Sequence, residues 1–180
     1  MPRYSRFAVI ALATLSASCT RDLSFPPPPQ KTMPGGTDPT SFVRMLEVKD
    51  PVFQRRVVAD VLGVAPGSEW TWTNARPRFK MAVELEPWDC KARFTVAKVV
   101  LDKVGPVTVS LIVNDHVLAQ HTYKKDGVQE LRAPVPLDVL KAADPPVIGL
   151  DIDPVYIAEM DGVKLGVLLE SIGFKKAGAD

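Results

Sequence analysis

Two cysteines, Cys19 and Cys90, and two histidines, His116 and His121, are all that this chain of 180 residues has of the softer metal ligands and stronger nucleophiles. The histidines stand five residues apart on one predicted strand, so they face opposite ways and fall short of a zinc set. An excess of charge is also missing. Lys and Arg number 22 against 21 Asp and Glu, and removing Arg3 and Arg6 leaves 20 against 21. That balance provides no electrostatic footprint for nucleic acid or an anionic lipid surface. Nor is there a long apolar run: the longest, Phe7 to Leu15, is about nine residues, well short of the roughly 20 that span a bilayer. G-x-S-x-G, a phosphate loop and HExxH do not occur, and Cys90 has no upstream histidine to activate it. The chain is therefore expected not to be an enzyme.

What is present begins with an address. "MPRYSRFAVIALATLSAS" places Arg3 and Arg6 ahead of the apolar run and small residues after it, the layout of a secretory signal peptide over residues 1–18. Cys19 directly after "LSAS" resembles the lipobox of bacterial lipoproteins, whose cysteine is acylated and becomes the new amino terminus. Ser16 stands where that pattern most often has Leu, and simple cleavage after a small residue is the other reading. The resemblance implies a membrane partner through the lipid anchor. Thr20, where an Asp would resemble a retention signal, implies transport to the outer membrane or cell surface. Lipidation of Cys19 would leave Cys90 without a disulfide partner; without it, a Cys19 to Cys90 bridge is open.

Residues 19–41 then form a linker. "FPPPPQKTMPGGTDP" holds four consecutive prolines and a Gly pair, a partly stiff spacer that can enter neither helix nor ladder. Residues 42–176 are long enough for one domain with a single core. Their first part, through Val64, fits short helical or irregular structure. The rest has the two-residue period of half-buried strands. Phe79, Met81, Val83 and Leu85 alternate with polar partners, and "ARFTVAKVVL" continues as a second strand. Val107, Val109, Leu111 and Val113 lead into Asn114-Asp115, a two-residue turn that pairs Val113 with His116 and Leu111 with Leu118. A proline-bounded strand before Pro134 and Pro136 belongs at an edge. Ile148, Leu150 and Ile152 form another strand, and Val163, Leu165, Val167 and Leu169 line one face of the last. Many short strands without βαβ alternation predict an all-β fold, an antiparallel jelly-roll β-sandwich with a short helical or irregular N-terminal segment.

The run "EWTWTNARPRF", "VTVSLIVNDHVL", "APVPLDVL", "VIGLDID" and "DGVKLGVLLESIGF" resembles the jelly-roll domains related to galactose-binding and carbohydrate-binding modules. The resemblance implies a fold and carries no catalytic motif. Trp70 and Trp72 have the same-face spacing of a strand and fit either a sugar platform or packing anchors of the first core strand; packing is the expectation. Trp88, in "EPWDC", is expected in a loop with an exposed ring, the better aromatic candidate for a ligand. Asp151 and Asp153 share a strand face and are candidates for a structural calcium, the alternative being the wet face of an edge strand. No other cofactor is expected. Glu84 and Glu86, or Asp151 and Asp153, supply carboxylate pairs by count, but nothing in the sequence places either pair in a cleft. The expected function is a non-catalytic, surface-anchored binding module for glycan. An assembly lipoprotein that contacts another envelope protein is the alternative, and a small hydrolase comes last.

Overall fold

The structure, a computed structural model, describes residues 44–65 and 67–178; the expected signal peptide, Cys19 and the linker lie outside them. In chain order the elements are β1 (Met45–Glu47), α1 (Phe53–Arg56), β2 (Val57–Val61), β3 (Thr71–Lys80), β4 (Trp88–Val96), α2 (Lys98–Val104) and β5 (Val107–Val113). There follow β6 (His116–Tyr123), β7 (Gly127–Val135), α3 (Leu137–Lys141), β8 (Val147–Asp153), β9 (Tyr156–Ile157), β10 (Lys164–Leu165) and β11 (Leu168–Lys176).

One layer runs β1-β11-β4-β7 and the other β3-β8-β5-β6, with β2 added beside β3; every pairing is antiparallel. The first residues of β3 also pair with β11, which ties the layers together. Successive strands mostly cross from layer to layer: β3 to β4, β4 to β5, β6 to β7, β7 to β8, and β8 to β11. That alternation is the jelly-roll sandwich expected from the strand pattern. Val107, Val109, Leu111, Ile148 and Leu150 from one layer close on Phe94, Leu169 and Ile172 from the other, all fully buried.

Local chemistry accounts for the tight turn. Asn114 and Asp115 both have positive φ, 45° and 64°, the primed turn whose twist matches the strands it joins. Asn114 is also held from both sides. Its Nδ2 donates to the Val139 carbonyl and its Oδ1 accepts from the Val147 amide, each at 2.8 Å. Val113 pairs with His116 as expected, but a register shift between Leu111 and Ile112 brings Ala119, not Leu118, opposite Leu111.

Three strand boundaries differ from the sequence pattern. The alternation from Phe79 to Leu85 is strand only as far as Lys80; the strand lies earlier, through Pro77, where β2 changes register and no ladder hydrogen bond is asked of the proline. β4 stops at Val96 because Val100 turns into the core from α2, which Gly105 ends at φ 80° with its N–H on the Leu101 carbonyl at 2.9 Å. The last strand keeps Val167 and Leu169 inside, then shifts register between Leu169 and Ser171, so that Ile172 and Phe174 take over the core face.

Candidate functional site

The pairing of β3 with β11 decides which way the tryptophans point. Thr71 stands opposite Leu169 and both are buried; Trp72 stands opposite Leu168. Leu168 in turn pairs with Thr95, and Thr95 with Val128. Directly opposed residues share a sheet face. Trp72, Leu168, Thr95 and Val128 therefore make one row across four strands on the outer side of the first layer, and Trp70 lies just ahead of β3.

Trp70 is 49% exposed and Trp72 half-buried, packing in part against the core. The expectation that both are packing anchors is corrected for Trp70: the small hydroxylated Thr71 and Thr73 take the inward positions. Thr71 donates to the Leu62 carbonyl at 3.0 Å, and Thr73 exchanges bonds with Val167 at 3.2 Å. Trp88 is corrected in the opposite sense. It opens β4 rather than sitting in a loop, is 1% exposed, and donates its indole N–H to the Glu84 carbonyl at 2.8 Å. The Arg44 guanidinium lies 5.2 Å from the centre of its ring. No face of Trp88 is left for a ligand.

Glu69, the residue before Trp70, helps to line a polar pocket of about 280 Å³ together with Glu47, Lys49, Arg93, Glu170 and Ser171. Arg93 donates to Glu170 at 2.7 Å, and the Thr95 hydroxyl donates to the other Glu170 oxygen at 3.1 Å. Lys49 reaches Glu47 at 2.8 Å. Its ammonium pKa is raised, first by the hydrogen bond to Glu47 and then by the charges of Glu47, Glu69 and Asp50. The pocket wall thus carries two ion pairs, Arg93 with Glu170 and Lys49 with Glu47. Sequence reasoning named neither Arg93 nor Glu170, because only the bulge in β11 brings Glu170 to this side.

Asp151 and Asp153 do lie on one strand face, the outer face of the second layer. Asp151, however, receives a short bond from the Arg78 guanidinium. Among the described residues no three His, Cys, Asp or Glu side chains converge. A cation sharing the Asp151 carboxylate with Arg78 would be repelled, and two carboxylates fall short of the six to eight oxygens calcium takes. The donor set does not fit calcium. The other acid pair is divided as well: Glu84 lies 3.6 Å from Arg44, and Glu86 3.3 Å from Lys176. Cys90 is fully buried, and burial pushes its thiol well above the ordinary range, which rules it out as a nucleophile.

The fold is an antiparallel jelly-roll sandwich with an exposed aromatic, Trp70, and a polar pocket among its surface features. No protein-family model matches the chain, and no curated protein is similar to it. Among solved structures it is similar to the carbohydrate-binding module CBM36 in complex with calcium and xylotriose, at 13% identity and a TM-score of 0.40, over 74% of this chain and 100% of that one. A second is the CBM36-1 domain of a multidomain xylanase from the hindgut metagenome of Trinervitermes trinervoides, at 9% identity and a TM-score of 0.40, over 75% and 98%. A third is the cycloalternan-forming enzyme from Listeria monocytogenes, at 17% identity and a TM-score of 0.37; the match takes in 67% of this chain but only 10% of that enzyme.

Proposed function

We propose that this domain is a non-catalytic glycan-binding module, with Trp70 and Trp72 as its sugar platform and the pocket of Glu47, Lys49, Glu69, Arg93, Glu170 and Ser171 as its hydrogen-bonding rim. The observation that supports the reading is the exposed indole of Trp70 next in sequence to Glu69 of that pocket, with Trp72 in the row that runs to Val128 on the outer sheet face. A pyranose has an apolar C–H face and a rim of hydroxyls. A half-exposed indole accepts the first, and paired carboxylates and cations meet the second with charge-assisted hydrogen bonds. In the same proposal, acylated Cys19 ties the module to the outer membrane or cell surface, and the proline-rich linker holds it clear of the lipid.

Affinity electrophoresis and calorimetry with neutral polysaccharides test the platform. Trp70→Ala is expected to weaken binding at least tenfold, which is about 1.4 kcal/mol. Unchanged affinity in that variant, or capture of an envelope protein with no sugar bound at all, overturns the reading. Mass spectrometry of the membrane fraction tests the anchor, and an unmodified amino terminus other than Cys19 removes it.

A further inference from the structure

The second layer carries a trough on its outer face, which shares no lining residue with the first pocket. Its volume is about 520 Å³, and Thr108, Ser110, Gln120, Asp151 and Asp153 line it together with Arg76. The strand register explains the recess. Thr122, Thr108 and Asp153 form one row across β6, β5 and β8; Gln120, Ser110 and Asp151 form the next; Val117, Ile112, Gly149 and Arg78 form a third. Side chains on the middle strands are short, so the sheet surface itself is the floor.

The third row closes one end. A Cβ on Gly149 would run into the Pro77 carbonyl oxygen and the side chain of Arg78, which places that arginine over the glycine. There it donates to the Leu150 carbonyl at 2.6 Å and pairs with Asp151. The pairing neutralises both charges, and Arg76 and Asp153 add one charge of each sign to the lining, so the trough has no net charge of either sign among its lining residues. What remains is hydrogen-bonding capacity. Gln120 donates to the Ser110 hydroxyl at 2.8 Å, and the Thr108 and Thr122 hydroxyls share a bond of 2.9 Å. Each of these bonds orients its groups while leaving further donors and acceptors by valence. Four strands about 4.8 Å apart give the trough a width suited to several linked pyranose rings.

We infer that this trough is a second binding site, for a neutral polyhydroxylated chain held by hydrogen bonds without aromatic stacking, and that the domain grips two glycan chains at once, one on each sheet. The bivalence rests on the platform reading; the trough itself does not. Calorimetry on the full chain, with hexaoses of β-1,4-linked xylose, glucose and mannose as probes, measures the stoichiometry. The wild type is expected to bind two equivalents of one of these. Trp70→Ala keeps one, and Gln120→Arg, which lays a long cation across the trough from an exposed edge position, keeps the other. The double variant is expected to bind at least tenfold more weakly than either, with melting curves reporting that it is folded. One equivalent that Trp70→Ala abolishes overturns the trough and leaves the platform. One equivalent lost only in Gln120→Arg does the reverse. Two equivalents that survive Gln120→Arg also overturn the trough, and no binding of any hexaose by the wild type overturns both.

Discussion

Trp72 on β3 stands directly opposite Leu168 on β11, while their neighbours Thr71 and Leu169 are paired and buried. Trp72 is thereby kept from the inward row and stays half-buried, Trp70 just ahead of the strand is exposed, and the third tryptophan, Trp88, is turned in. Substitutions should separate these roles. Trp88→Ala empties a fully buried site and orphans the Glu84 carbonyl. It should cost about 3–5 kcal/mol in urea unfolding, while Trp70→Ala should stay within about 0.5 kcal/mol. Equal losses at the two positions would contradict the assignment of faces.

Gly149 should tolerate no side chain. The Cβ of Gly149→Ala meets backbone at Pro77 as well as Arg78, and backbone in a paired strand yields little. A loss of about 1–3 kcal/mol is expected from urea midpoints, together with a weakened Arg78 to Asp151 pair.

Alkaline pH should test Cys90. Burial raises its thiol pKa in the folded state, so the fold favours the neutral form. No effect arises below the unfolded value of about 8.5. As pH rises through that value, the unfolded chain ionises and the folded one does not, and stability falls. The drop in urea midpoint between pH 8 and pH 10 should therefore be larger in the native chain than in Cys90→Ala. With Cys19 acylated or replaced by serine, a thiol reagent at pH 8 should label the protein only on unfolding.

Calcium should leave stability unchanged. Arg78 already occupies Asp151, and among the described residues no third carboxylate converges with Asp151 and Asp153. Melting temperatures with chelator and with added calcium are expected to coincide; a rise with calcium would show that oxygen ligands other than these complete a site.

Much of the sandwich could be read directly. The alternation of β5 and β8 survives intact, because both are central strands with one face wholly inside, and the Asn114-Asp115 turn is dictated by residues that tolerate positive φ. The edges were less readable. Met81, Val83 and Leu85 keep a strand period without a strand, and Lys98–Val104 is a helix in a run that reads equally well as extended. Short apolar segments fit either period, and packing decides between them. The candidate site was half visible: Trp70 and Trp72 stood out as a pair, while Arg93 and Glu170 looked like ordinary surface charges.

By itself, the order of apolar and polar residues pointed to the class of fold, since many short strands with one apolar face each must bury that face against a second layer. It also limited the chemistry, through the scarcity of histidine and cysteine and the balance of charge. Only the tertiary structure decided the direction of each aromatic. A strand period says that Trp70 and Trp72 share a face but not which face, and a shift of one residue exchanges the two. The pairing of Leu168 with Trp72 settles that choice for Trp72, and it joins residues nearly a hundred positions apart.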